Sequence, residues 1–125
     1  WVRFNLEYDR YRADVIGARE ALRIRRGDCT EYAYLSTALA RANQIPARVV
    51  GGYVASRDGT PRAGEYHNWA QFHLSGTWRS VDAQLQRWWD TRDYVMFHVA
   101  ADFAQSALGG ANRFRTTPLL RVSMP

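Results

Sequence analysis

Three residues of types that can perform nucleophilic chemistry follow one another along this chain. Cys29 is its only cysteine, so it cannot form an internal disulfide, and one thiol supplies too few ligands for a structural zinc site. A nucleophilic thiol needs a nearby base, which His67 could supply. Asp82 follows as a carboxylate that could hold the imidazole in its useful tautomer. These residue types make Cys29 a candidate nucleophile, His67 its candidate acid/base and Asp82 the group that would orient the imidazole.

The residues around Cys29 predict that it lies in the first turn of a helix. Gly27 is expected to end the preceding helix, and Asp28 with Glu31 three residues later forms a capping-box pattern. Apolar and small residues surround most of the helix over residues 29–43, which predicts burial on nearly all sides. A helix start favours a thiolate, and its free N–H groups can bind the oxyanion formed when a thiolate attacks a carbonyl.

His67 and Asp82 fall on two predicted strands, residues 66–74 and 77–83. Ser75-Gly76 between them is a plausible two-residue hairpin turn. That turn makes His67 and Asp82 diagonal neighbours on one face of the sheet, within reach of a hydrogen bond. A three-residue loop would instead send Asp82 to the opposite face, so the pairing depends on the turn length.

The rest of the chain gives a mixed pattern of helices and strands. Residues 1–26 are expected to be helical, in two segments with the second over residues 13–25. The other expectations are a strand at 48–55, a flexible loop at 56–65 that gates the cleft before His67, a polar connection at 87–93, a strand at 94–99, a loop at 100–114 and a terminal strand at 119–122.

Composition indicates one folded domain over residues 1–125. The hydrophobic share is 46%, and no apolar run approaches the roughly 18 residues that span a bilayer. The chain begins with Trp1 rather than methionine, as expected of a domain excised from a longer protein. The net charge is +5, but the basic residues, all of them arginine, are dispersed, which argues against nucleic acid as a partner. Compartment and oligomeric state are not indicated.

Each candidate residue also has a structural interpretation. Cys29 could be a small buried hydrophobe, His67 a strand histidine with a satisfied ring, and Asp82 a carboxylate on a solvated face. His73 and His98 are rival bases, but neither has a carboxylate as well placed. No H-x-x-x-H or C-x-x-C spacing occurs, so neither a metal nor another cofactor is expected.

The segments that contain these residues resemble the transglutaminase-like superfamily. The similar blocks are residues 26–33, residues 39–42 with 45–53, and residues 67–70 with 78–82. The resemblance implies a papain-like α+β fold, in which N-terminal helices and the nucleophile helix pack against an antiparallel sheet. It also implies that Cys29, His67 and Asp82 form a triad that makes a thioester with an amide-bearing substrate.

Three positions depart from the family's usual pattern, and they bear on substrate preference. Asn68 replaces a small residue, Gln71 replaces a glutamate and Ala83 replaces a proline. The first hypothesis is a cysteine peptidase, amidase or acyltransferase acting on a peptide or protein, with hydrolysis preferred over cross-linking. The alternatives are a catalytically inactive domain of the same fold used for protein interaction, and a basic nucleic-acid-binding module, which would bind in a salt-sensitive way.

Overall fold

The computed structural model describes residues 1–12, 14–55, 57–89 and 92–100. Its helices are α1 (Val2–Asn5), α2 (Gly17–Ile24) and α3 (Cys29–Ala42), with a 3-10 turn at Ala63–Glu65. Its strands are β1 (Glu7–Tyr8), β2 (Arg26–Gly27), β3 (Ala47–Val54), β4 (Tyr66–Leu74), β5 (Thr77–Asp82), β6 (Arg87–Trp88) and β7 (Tyr94–Val99). The expectations at 101–125, including the terminal strand, lie outside the described residues.

Helix α3 forms because its start is capped and most of its surface is buried. Asp28 caps it by accepting from the Thr30 N–H at 2.8 Å, and the Glu31 carboxylate accepts from the Asp28 N–H at 3.2 Å. The predicted capping box is therefore confirmed. Tyr32 and Leu35 of α3 pack with α1 and α2 in one core cluster, and Ala33 packs on β3 in another. The helix thus fills the space between the N-terminal helices and the sheet.

A five-stranded antiparallel sheet carries the second half of the described chain, in the order β6-β5-β4-β3-β7. The β4–β5 hairpin has the predicted register, with Leu74 opposite Thr77. Ser75 and Gly76 both have positive φ, at 50° and 79°, as a two-residue type I′ turn requires. The turn length on which the pairing of His67 with Asp82 depends is therefore confirmed.

The prediction that residues 1–26 are helical in two segments was wrong for residues 6–12 and 14–16. After the single turn of α1, β1 pairs in parallel with β2, and α2 does not begin until Gly17. The buried Asp28 and Glu31 carboxylates accept from the backbone N–H groups of Arg12 and Ile16, at 3.0 and 3.1 Å. These bonds keep the backbone at Arg12 and Ile16 out of a helix, because an N–H that donates to a distant carboxylate is not donating within a helix.

Two boundaries also differ from expectation. Helix α2 ends at Arg25, whose φ of 59° is left-handed, rather than at Gly27. Gly27 lies in β2, where a Cβ atom would come within 2.3 Å of the Glu31 side chain. The connection predicted at 87–93 includes β6, which pairs with β5 and extends the sheet.

Candidate active site

Cys29 is the first residue of α3 and the only free thiol of the chain. Its side chain is partly exposed, so a reagent can reach it. The carboxylate of Asp28 occupies the N–H groups of the next two helical positions, Thr30 and Glu31. Of the first turn's donors, the Cys29 N–H is therefore the one the cap leaves free to bind a substrate oxygen.

His67, the second residue of β4, lies between Cys29 and Asp82. Its Nε2 lies 2.6 Å from Asp82 Oδ2, and its side chain is only 10% exposed. The thiol of Cys29 is close enough to hydrogen-bond with the same ring. Since Nε2 is engaged with Asp82, Nδ1 is the ring nitrogen left for the thiol. The structure thus brings together the three residues that the sequence singled out.

Asp82 is held by four hydrogen bonds. Its Oδ1 accepts from the backbone N–H groups of Gln84 and Leu85, at 3.0 and 2.9 Å. Its Oδ2 accepts from His67 and, at 2.7 Å, from the hydroxyl of Tyr94 on β7. The carboxylate is almost fully buried, at 2% exposure. A buried carboxylate with this many donors is fixed in orientation and stabilised as the anion.

The pKa shifts of this pair indicate an ion pair. Burial would lower the pKa of His67, but the Asp82 carboxylate and the Cys29 sulfur outweigh it and raise the pKa from 6.5 to about 9. Burial would raise the pKa of Asp82, but the bond to His67, with those to Leu85 and Tyr94, lowers it overall. At neutral pH the site therefore holds an imidazolium beside a carboxylate, and the imidazolium faces the thiol.

Comparison with known proteins decides the family. The sequence model of the transglutaminase-like superfamily matches residues 1–83. The chain belongs to that superfamily. No curated protein matches it.

Two solved structures resemble this transglutaminase-like chain. A candidate cysteine protease from Cytophaga hutchinsonii is 28% identical with a TM-score of 0.65, over 79% of this chain and 32% of that one. The periplasmic domain of TgpA from Pseudomonas aeruginosa, solved with ethylmercury bound, is 29% identical with a TM-score of 0.51, over 67% of this chain and 35% of that one. Both share the predicted papain-like α+β fold. The chain spans about a third of the length of each.

The rival histidines lie apart from this arrangement. His73 is opposite Trp78 near the hairpin turn, with the two rings 5.1 Å apart. His98 is on β7, opposite Gly51, and its buried Nε2 has no hydrogen-bond partner within the part of the chain that the structure describes. Among the described residues, no group of three or more histidine, cysteine or acidic side chains could hold a metal ion. None of the described helices is long and apolar enough to cross a membrane.

Sequence reasoning missed two contacts at this transglutaminase-like site. Tyr94 was predicted only as part of a strand, yet its hydroxyl reaches Asp82 from β7. Asn68 was noted only as a departure from the family pattern, yet its amide donates to Thr30 Oγ1 at 3.0 Å, with both side chains buried. Thr30 follows Cys29 and Asn68 follows His67, so this bond ties the start of α3 to β4 directly beside the site.

A cavity of about 370 Å³ lies between the end of β3 and the loop at residues 57–65. Its wall includes Tyr53, which pairs with Tyr66, the neighbour of His67. Arg57, Asp58 and Arg62 add charge of both signs to the lining. Cys29, His67 and Asp82 are not among the residues that line this cavity, so gating of the cleft by the loop stays a prediction.

Proposed function

We propose that this domain cleaves or exchanges amide bonds of peptides or proteins through a thioester on Cys29. His67 acts as the acid/base and Asp82 orients it. The observation that carries the proposal is the ion pair of His67 and Asp82, 2.6 Å apart, beside a thiol at a helix N-terminus. A thiol is a strong nucleophile only when ionised, and a neighbouring imidazolium and the helix dipole both favour the anion.

In the first step the Cys29 sulfur attacks the carbonyl carbon of the amide. A carbon–sulfur bond forms, and the carbonyl electron pair moves to the oxygen. The Cys29 N–H, left free by the cap, donates to this oxyanion. As the tetrahedral intermediate collapses, the carbon–nitrogen bond breaks and the His67 imidazolium gives its Nδ1 proton to the departing amine. The products are a neutral amine, a thioester and a neutral imidazole.

In the second step the neutral imidazole accepts a proton from the incoming nucleophile. Water yields a carboxylic acid, and an amine yields a new amide. The carbon–sulfur bond breaks, the sulfur leaves as the anion, and His67 is again an imidazolium. Asp82 keeps its charge throughout, since its hydrogen bonds stabilise the anion. Hydrolysis is the preferred outcome, supported by the likeness to a candidate cysteine protease.

The proposal is tested by detecting the acyl-enzyme with a model ester. The chain is mixed with p-nitrophenyl acetate, and its intact mass is followed with release of p-nitrophenol. We expect a rapid burst and one added acetyl group that peptide mapping places on Cys29. Cys29→Ser should abolish the burst, and His67→Gln should slow it by about 100-fold or more. A mass that does not change, or an acetyl group elsewhere with undiminished rate in Cys29→Ser, would overturn the proposal.

Amide substrates then distinguish hydrolysis from transfer to an amine. Carbobenzoxy-glutaminyl-glycine is incubated with and without hydroxylamine, and ammonia and hydroxamate are measured. Ammonia without hydroxylamine indicates hydrolysis of a glutamine amide, and hydroxamate indicates transfer to an amine. Casein fragments, measured by mass spectrometry, report peptide hydrolysis. If p-nitrophenyl acetate and all amide probes leave Cys29 unmodified, the domain is an inactive member of the family used for interaction.

A further inference from the structure

Tyr94 lies outside the part of the chain that defines the family, yet it reaches the centre of the site. The family match ends at residue 83, and Tyr94 begins β7 on the far edge of the sheet. Its hydroxyl donates to Asp82 Oδ2 at 2.7 Å, the same oxygen that His67 Nε2 contacts at 2.6 Å. One carboxylate oxygen therefore accepts from two side chains.

The tyrosine is held firmly in this position. Its ring packs edge-on against Trp69, with centroids 4.9 Å apart at 75°. Trp69 is 1% exposed and stacks in turn on His67. The guanidinium of Arg87 lies 5.8 Å from the centre of the Tyr94 ring and pairs with Asp93. The hydroxyl is therefore directed at Asp82 by packing, and not by the hydrogen bond alone.

The orientation of Asp82 does not depend on Tyr94, because its Oδ1 is anchored by the N–H groups of Gln84 and Leu85. The Tyr94 hydroxyl instead reduces the negative charge on Oδ2 that attracts the imidazolium. A second donor on one oxygen weakens that oxygen as an acceptor for the first.

We propose that Tyr94 is a positioning residue that acts through Asp82: its hydroxyl shares Oδ2 with His67 and so limits how tightly the imidazole holds its proton. This inference rests on the proposed function, in which His67 must release that proton to the departing amine. Without the hydroxyl, Asp82 would hold the imidazolium more strongly, and proton release would be slower. Tyr94 thus helps the His67 imidazolium to release its proton to the departing amine.

The charged and titratable groups at the site fix the sign of the effect. His67 is faced by Asp82 from β5 and Cys29 from α3. Tyr94 is faced by Asp82, Arg87 and Asp93, and burial together with Asp82 raises the pKa of its hydroxyl. The hydroxyl therefore stays a proton donor across the range in which His67 titrates. Losing it should raise the pKa of His67 beyond about 9.

The test is an NMR titration of histidine ring signals in the full chain, with His67 assigned from the signal lost in His67→Gln. Tyr94→Phe removes the hydroxyl and keeps the ring. We expect its His67 midpoint to rise by about one unit. Tyr32→Phe is the matched control, because Tyr32 also makes a buried hydroxyl bond, to the Leu6 carbonyl at 2.6 Å, but does so away from the site. That variant should keep the wild-type midpoint.

An unchanged or lower His67 titration midpoint in Tyr94→Phe would overturn the inference. Loss of packing alone would weaken the contact between His67 and Asp82 and so would lower that midpoint. If Tyr94→Phe fails to fold, 3,5-difluorotyrosine at position 94 provides the opposite perturbation. Its more acidic hydroxyl is a stronger donor and should lower the His67 midpoint; no change or a rise would again refute the role. The titration needs no catalysis, so it stays distinct from the acetylation test. If Cys29 is not acetylated, the proposed function is rejected. If the His67 titration midpoint does not move, the role inferred for Tyr94 is rejected.

Discussion

The stability of this domain should depend on pH through His67. Burial alone would lower the pKa of His67, but the contacts with Asp82 and Cys29 raise it from 6.5 to about 9 in the folded protein. The folded state therefore binds the imidazole proton more tightly than the unfolded state does. The resulting stability is fully present below pH 6.5 and is lost as pH rises through about 9. A shift of this size corresponds to about 3 kcal/mol of the free energy of unfolding.

The assay is urea unfolding followed by tryptophan fluorescence at intervals from about pH 6 to 10. In Cys29→Ser, in which no thiol ionises over this range, the free energy of unfolding should fall by about 3 kcal/mol or less, since the Cys29 contribution to the pKa of His67 is then absent; the histidine variants are made in the same background. His67→Gln, which cannot titrate, should lose most of that slope. His73→Gln is the matched control, because His73 contacts the Trp78 ring rather than a carboxylate, and it should keep the slope. An equally steep fall in His67→Gln would refute the assignment of the ion pair.

Three further predictions, one of them with a control substitution, test the packing around the site by the same unfolding assay. Thr30→Val should cost about 1–3 kcal/mol because it removes the hydrogen-bond partner of the buried Asn68 amide. Thr37→Val on the same helix should be neutral or stabilising, since the buried Thr37 hydroxyl has no hydrogen-bond partner among the described residues; equal effects would contradict this. Gly52→Ala should cost about 1–3 kcal/mol and weaken the β3–β7 pairing, because its Cβ would clash with the carbonyl oxygen of Val95 on β7; retained stability would show that β7 can move to make room. Glu31→Gln should cost about 1–3 kcal/mol, because its amide nitrogen would face one of the two backbone N–H groups that now donate to the Glu31 carboxylate. An unchanged midpoint of urea unfolding would show that these two hydrogen bonds are dispensable.

The parts of the site that depend on local sequence were predictable. Asp28 and Glu31 carry a cap pattern whose geometry is set within four residues, so the start of α3 followed directly. The pairing of His67 with Asp82 required only a hairpin of known turn length, since register fixes which side chains share a face. The helix start at Cys29 and the pairing of His67 with Asp82 were therefore predicted before any long-range contact was known.

The parts that depend on distant contacts were not predictable. The segment before α2 has apolar residues that suit a helix, but hydrogen bonds from Arg12 and Ile16 to the buried carboxylates of α3 hold it irregular. Nothing local to Tyr94 indicates that its hydroxyl meets Asp82, because that contact requires the whole order of the sheet. Tertiary contacts overrode local propensity at both places.

The most direct test of the account is the rate at which iodoacetamide alkylates Cys29, measured by mass spectrometry from about pH 4 to 9. The wild-type chain is compared with His67→Ala. The account predicts that the wild-type chain is alkylated clearly faster than His67→Ala at neutral pH, because His67 lies beside the Cys29 sulfur and an imidazolium favours its attack. Slow alkylation with the same pH profile in both proteins would contradict it and would make Cys29 an inert side chain at a helix start.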